Sequence, residues 1–437
     1  MLRQIGYALA VAAIAIVPII VLVILPTWAV WACLALFAVW LALTRTGRQA
    51  WSATALGIAT IPQRLGSSCV VLIGIAGVVG VLVALLAMAE GLRATLEQTG
   101  SNDTAIVLRA GSQTEVNSVV DHDAAVIVAQ EPQVMRDAQG YPIASPEILT
   151  AASIPRKGNG LDGTAPIRGV GDRVWELYPR LRIIAGRRFR PGLRELIVGK
   201  NAAREFTDTA LGSTLELNGQ PWTVVGQFDS GDSHDSELWA DANVVATTYH
   251  RGDSCSSVTV RLKSPKLFDA FKAAIASDPQ LKFEVKTTRA YFDAQSEGLT
   301  KIIRVLGTTV AVIMGIGAVF GALNTMYAAV ATRTREIATL RAIGFRGGPV
   351  VVSVLIETLL LAVAGGVVGA GIAWLLFDNY TASTLGANFS QLVFQFHVTP
   401  ALVASGLKWA LAIGFLGGLF PALRAARMPV TDGLREL

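Results

Sequence analysis

Between Asp229 and Asp241 the sequence Asp-Ser-Gly-Asp-Ser-His-Asp-Ser-Glu-Leu-Trp-Ala-Asp gathers Asp229, Asp232, His234, Asp235 and Glu237. Carboxylates at that density suit a hard cation such as calcium. The spacing departs from the calcium-loop pattern and only one His is present, so the expectation is a solvated acidic loop and no metal site is assigned. His122, His250 and His397 stand apart with no partner at catalytic spacing, so no catalytic residue is assigned either. No Gly-x-x-x-x-Gly-Lys-Ser/Thr loop occurs among the 437 residues. Cys33 and Cys69 fall in apolar runs and Cys255 is alone in the polar segment, which excludes a disulfide or a thiolate metal site there. Arg251-Gly-Asp253 and the sequons at Asn102 and Asn388 are read as chance matches.

The remaining candidates lie in or beside apolar runs. Glu357 sits about two turns into Val350–Phe377, and Lys408 about two turns into Leu402–Leu423. Each would cost roughly 2.5–3.5 kcal/mol at a bilayer centre. Hydrogen bonding between helices is the expectation for Glu357 and for Asn324, and snorkelling to an interface for Lys408. A proton relay between Glu357 and Lys408 is disfavoured, because they lie nearer opposite leaflets. The densest charge on the membrane runs is Arg333-Thr-Arg-Glu-Ile-Ala-Thr-Leu-Arg-Ala-Ile-Gly-Phe-Arg346, a short helix between the spans Leu306–Val330 and Val350–Phe377. On a helical wheel Ile337, Leu340 and Ile343 share one side, Arg335 and Thr339 stand opposite, Glu336 interrupts the apolar arc, and Gly344 supplies a stop. Arginines clustered in a short loop mark the cytoplasmic side.

That stretch resembles the loop of the MacB/FtsX family of ABC-transporter permeases, in which an R-E-I-x-x-L-R-A-I-G pattern follows the second core transmembrane helix. The resemblance runs from about Ile61 to the C-terminus. It implies a mechanotransmission-like permease (type VII), in which this loop contacts an ATPase and a large extracytoplasmic domain is inserted between the first two of four core helices. Arg333, Arg335, Glu336, Ile337, Leu340, Arg341, Ile343, Gly344 and Phe345 would then couple to the ATPase. ATP and magnesium would be bound by that partner, since this chain has no nucleotide motif, and no cofactor of its own is expected. The resemblance further implies a second permease copy, with a homodimer expected, and a periplasmic adaptor with an outer-membrane channel in envelopes that have them. A signalling scaffold of the FtsX kind, activating a cell-wall hydrolase without transport, is the alternative, and a membrane-embedded enzyme ranks last.

Composition gives the frame for these residues. The chain is 52% hydrophobic and 16% charged, beyond what a soluble protein of its size carries. The net charge of +5 sits at the ends of apolar runs, which argues for lipid contact and against nucleic acid. The expected fold is a membrane α-helical bundle, four core helices plus an extra N-terminal hairpin, with an inserted α+β extracytoplasmic domain on a helical stalk. Residues 1–45 form the hairpin (Ile5–Leu25 and Trp28–Leu43, split at Pro26-Thr27), 46–68 an amphipathic elbow, and 69–94 the first core helix and stalk. Residues 95–287 form the extracytoplasmic domain, 288–331 the returning stalk and second core helix, 332–348 the coupling loop, 349–424 the last two helices, and 425–437 a tail.

A cleavable signal peptide is the competing reading of the first apolar run, disfavoured because more membrane sequence follows, and a lipoprotein cleavage at Cys33 fails for the same reason. Six spans with both termini cytoplasmic, in a bacterial inner membrane, satisfy the Lys/Arg distribution, because 378–397 has no Lys or Arg and the tail carries Arg424, Arg427 and Arg435. Gly317/Gly321, Gly365/Gly369 and Gly414/Gly418 place a close-packing motif on each of the last three spans. In the polar segment strands are expected at Thr104–Arg109, Ala124–Ala129, Pro166–Val170, Glu195–Val198, Thr214–Leu217, Trp222–Phe228, Ser257–Leu262 and Lys282–Lys286. Asn218-Gly219 is the expected hairpin turn. Helices are expected at Ala202–Phe206, Asp241–His250 and Pro265–Ala276, and two subdomains are expected, a central piece from about Asp172 to Arg251 bracketed by outer pieces that pair.

Overall fold

The computed structural model describes residues 25–59, 65–157, 160–278, 281–385 and 391–431, so nearly all of the expected first span, Ile5–Leu25, lies outside the described residues. In chain order the helices are α1 (Thr27–Leu43), α2 (Arg45–Ala59), α3 (Leu65–Thr99), α4 (His122–Gln130), α5 (Val174–Leu177), α6 (Lys200–Glu205), α7 (Ala242–Thr248), α8 (Phe268–Ser277), α9 (Thr288–Thr332), α10 (Thr334–Ala342), α11 (Gly347–Phe377) and α12 (Pro400–Arg427). The strands are β1 (Thr104–Arg109), β2 (Ala144–Pro155), β3 (Asp162–Val170), β4 (Arg182–Gly186), β5 (Glu195–Gly199), β6 (Thr214–Leu217), β7 (Gln220–Asp229), β8 (Leu238–Asp241), β9 (Ser257–Arg261), β10 (Phe283–Thr287), β11 (Thr381–Leu385) and β12 (Gln391–Gln395).

They form two compact units. One contains the described residues of Met1–Met88, Ile303–Asp378 and His397–Leu437; the other contains Ala89–Ile302 and Asn379–Phe396. Among the described residues α3, α9, α11 and α12 are long and apolar enough to cross a membrane. Each exceeds the roughly 20 residues that a bilayer requires.

In the first unit small residues let backbones approach. A Cβ on Gly365 or Gly369 would strike the carbonyls of Leu72 and Ala76 on α3, and one on Gly414 or Gly418 would strike Ala362 and Thr358 on α11. Gly317 and Gly321 have no such neighbour among the described residues. On α9 the close approach is made by Ala322 against Gly417, so the motif expected at 317 and 321 is not the one that packs within the chain.

The expected elbow is a helix beginning at Arg45, bent by 96° from α1. Thr44 makes the corner: its hydroxyl donates to the Trp40 carbonyl and accepts from the Gly47 amide at 2.9 Å, as an N-cap does. The buried face of α2 is Gly47, Ala50, Ala53, Thr54 and Gly57, while Trp51, Leu56 and Ile58 point outward.

The second unit is built on a ten-stranded sheet in the order β10-β1-β9-β2-β3-β8-β5-β7-β4, with β6 paired to β7. The outer strands pair as expected, β1 lying between β9 and β10; β8, β5, β7 and β4 form the central piece, and β3, which precedes the expected boundary at Asp172, joins it by pairing with β8. Asn218 and Gly219, at φ of 49° and 71°, make the tight turn from β6 to β7.

Ala124–Ala129, expected as a strand, lies in α4. Only Ala125 and Val128 are buried, with Val126 and Ile127 exposed, so the burial follows helical spacing despite the β-branched composition. The segment 379–396 adds a hairpin, β11 with β12, to this unit: the Val393 amide donates to Ser236 Oγ at 3.0 Å and Arg156 Nη2 to Ser383 Oγ at 3.1 Å.

Candidate coupling site

The α9–α10–α11 corner is held by what it buries. Ile337 inserts among Met326, Val330, Val350, Val354, Ala422 and Ala425, so α10 is pinned on its inner side by α9, α11 and α12. Arg333, at the start of the corner, places its guanidinium 2.9 Å from Glu336 and 3.1 Å from Glu357. The second contact is 11% and 3% exposed at its two side chains, so water screens it little. Gly57 of α2 lies against the same pair, and a Cβ there would come within 3.0 Å of Glu357. Elbow, corner and third core span therefore converge on one ion pair. Arg341 donates to the Met428 carbonyl just past α12, and Arg424 stacks over Tyr327 at 5.6 Å.

What remains outside is a compact polar surface with one apolar knob. Arg335, Glu336, Thr339 and Ala342 are exposed, and Ile343 is 70% exposed. The helix closes at Ala342, with Gly344 at φ +105° turning the chain. Ile343 is consequently a cap residue, not a member of the apolar wheel face with Ile337 and the half-buried Leu340 that periodicity implies. Phe345 is half-buried as well. Arg333 is directed inward and Arg335 outward, a division that composition cannot reveal. Of the intramembrane polar residues, Glu357 meets Arg333, Asn324 is exposed on α9, and Lys408 donates to the Leu25 carbonyl at 2.6 Å.

The acidic stretch Asp229–Asp241 is not a solvated loop. Ser233, His234, Asp235, Ser236 and Glu237 are all buried in the second unit, and no group of three His, Cys, Asp or Glu side chains among the described residues is arranged for a metal. Asp235 accepts from the Ser230 and Gly231 amides, holding the turn. Glu237 accepts from Arg168 Nε and Nη2 at 2.7 and 2.9 Å and from the Trp239 indole at 2.7 Å. Arg168 also reaches Glu115 and Glu147, at 2.8 and 2.7 Å, so one guanidinium on β3 ties three carboxylates from separate segments.

Burial opposes charge on every one of these groups, and neighbours decide which keep it. Against its own burial, His234 is pushed up to about 9 by the charges of Asp232 and Glu237. Burial works against ionisation of Glu237 too, yet Arg168 and His234 hold it below the usual carboxylate range. Burial, helped by the charge of Glu115, pushes Glu147 up. Tyr178, Trp239 and Phe292 enclose the imidazole at 4.9–6.0 Å. The reading of the sequence missed Arg168, Glu115 and Glu147; the available signal was an arginine at an inward position of an otherwise apolar strand.

Residues 68–278 match the family described as MacB-like periplasmic core domain, and residues 308–430 the FtsX-like permease C-terminal family. The chain is 27% identical over 405 residues to a macrolide export ATP-binding/permease protein MacB of Photorhabdus laumondii, covering 88% of this chain and 60% of that protein. It thus spans about 60% of the length of that relative. It is 25% identical over 390 residues to the uncharacterized ABC transporter permease YknZ of Bacillus subtilis, covering 84% of this chain and 94% of YknZ. Among solved structures, the periplasmic region of MacB from Actinobacillus actinomycetemcomitans aligns with 44% of this chain and 92% of its own, at 13% identity and a TM-score of 0.34. With both family regions matched in their order along the chain, and with the membrane helices and the mixed α/β domain in the corresponding segments, the chain belongs to the MacB/FtsX family of ABC-transporter permeases.

Proposed function

We propose that this permease takes up force from a separate cytoplasmic ABC ATPase at the α9–α10–α11 corner and passes it along α3 and α9 to the extracytoplasmic domain. The observation that carries the reading is the corner's division of labour. Ile337 and the Arg333–Glu357 pair fix α10 to the bundle, while Arg335, Thr339 and Ile343 face outward. A partner pressing on such a helix moves the spans attached to it, because packed interiors transmit strain instead of absorbing it.

ATP and magnesium belong to the ATPase, and the work is efflux or the handling of lipid or lipoprotein outside the membrane. The working form is a homodimer in the cytoplasmic membrane with both termini inside, joined by an adaptor and an outer-membrane channel where the envelope has them. The names of the MacB relatives, which join ATP binding to macrolide export, support the ATP-coupled class without identifying a substrate for this chain.

The test is affinity isolation of the full chain from its own membranes, with ATP hydrolysis measured per mole of permease. Arg335→Glu combined with Ile343→Asp is expected to lower the associated hydrolysis at least tenfold, the equivalent of about 1.4 kcal/mol at the contact. Retention of the wild-type activity by that variant overturns the reading.

A further inference from the structure

The first unit contains a cavity of about 350 Å³ where α1 lies across α11 and α12. Its walls are apolar, with Val30 and Phe37 from α1, Leu360 and Val363 from α11, and Leu411 from α12. Among the described residues, the one charged group lining it is Lys408. A groove of that composition inside a membrane bundle suits a hydrocarbon chain, but the lysine is a costly residue to place there without a purpose.

Lys408 stands nine residues past the Thr399 cap of α12, about 13–14 Å along the helix at the helical rise. Its ammonium reaches the carbonyl of Leu25, the residue just before Pro26 and α1, at 2.6 Å. That acceptor is neutral and uses one of three N–H donors. No carboxylate pairs with Lys408 among the described residues, and the intramembrane Glu357 is committed to Arg333. The cavity is therefore lined by a cation whose charge no carboxylate among the described residues compensates.

We infer that this cavity is a binding site for one anionic glycerophospholipid from the leaflet at the Thr399 end, with its phosphate on Lys408 and an acyl chain lying between α1, α11 and α12. The charge and the apolar lining choose the occupant together. A neutral lipid would leave the ammonium without a counter-charge, and a free phosphate would leave the apolar walls unfilled. The site does not involve α10, so it stands apart from the coupling proposed above.

The experiment is native mass spectrometry of the full chain released from nanodiscs holding equal amounts of phosphatidylglycerol and phosphatidylcholine with identical acyl chains. The wild-type chain is expected to retain phosphatidylglycerol at least fivefold over phosphatidylcholine. Lys408→Met removes that preference, Lys408→Arg keeps it, and Val363→Trp, which fills the groove, lowers retention of both lipids while Lys408→Met leaves the thermal transition in place. Equal retention of the two lipids by the wild-type chain overturns the proposal, as does undiminished preference in Lys408→Met. A several-fold gain in retained lipid on deleting residues 1–24 also overturns it, by showing that segment to be the groove's occupant.

Discussion

Arg168 is one cation facing three buried carboxylates, and His234 with Asp232 sits beside it in the same enclosure. Removing the guanidinium leaves those carboxylates unpaired in the interior, a change that costs on the order of 3–5 kcal/mol. Arg168→Met is therefore expected to lower the unfolding temperature of the extracytoplasmic unit in the full chain, with partial recovery as the pH falls and the carboxylates take up protons. Tryptophan fluorescence reads this directly, because Trp222 and Trp239 are fully buried there.

His234 acts at the other end of the pH scale. Its folded value of about 9 exceeds the ordinary 6.5, so its stabilisation is complete below about 6.5 and is lost as the pH rises through 9. A shift of that size corresponds to roughly 3–4 kcal/mol. Asp232 and Glu237, held below their ordinary values, contribute in the opposite sense: their share is present at neutral pH and is lost on acidification. Unfolding temperature measured between pH 6 and 9.5 should decline in the wild type and stay nearly flat in His234→Gln; parallel declines in the two would exclude His234 as the source.

At the scale of elements, packing decides which sequence signals are realised. Gly369 and Gly317 sit in equivalent-looking G-x-x-x-G pairs, yet the first lies against the Ala76 carbonyl and the second against nothing among the described residues. Gly369→Val must push α11 off α3, at a cost of about 1–3 kcal/mol for overpacking. Gly317→Val should fall within about 0.5 kcal/mol of the wild-type chain, as surface changes do. Thermal unfolding of both variants in detergent would reveal equal losses if the contrast were false.

The same logic explains which elements were legible. The four long spans α3, α9, α11 and α12, the Asn218-Gly219 turn and strands such as β1, β5 and β6 announce themselves through apolar length, turn chemistry and local alternation, whereas Trp28–Leu43, expected as a span of its own, is not among those four. β2 does not: its twelve residues include two prolines and a buried Glu147 that Arg168 on a neighbouring strand and the distant Tyr178 hydroxyl make tolerable. Asp229–Asp241 reads as acidic loop because its partners, Arg168 and Lys200, are distant in sequence. At the corner the motif located the right segment, while the inward turn of Arg333 and the exposure of Ile343 depend on where α10 stops.

Across the whole molecule the chain passes between its two units at 88/89, 302/303, 378/379 and 396/397, the first two inside continuous helices. Under the coupling proposed above, the corner needs both a surface to receive the ATPase and an anchor to pass the load inward, and the two can be separated. Glu357→Gln keeps the size and exposed face of the corner but takes the carboxylate from Arg333, whose remaining acidic contact, Glu336, is on α10 itself. The expected outcome is that Glu357→Gln still binds the ATPase with affinity within about twofold of wild type, since it does not touch the contact surface, while ATP hydrolysis in the complex falls several-fold because α10 no longer moves with α11. Arg335→Glu should do the reverse, losing association while the isolated chain keeps its thermal stability. Measuring ATPase affinity and turnover in one preparation distinguishes the two roles. If Glu357→Gln lost binding as completely as Arg335→Glu, Arg333 and Glu357 would belong to the receiving surface and the anchor would have to lie elsewhere, with Ile337 and its apolar socket the remaining candidate.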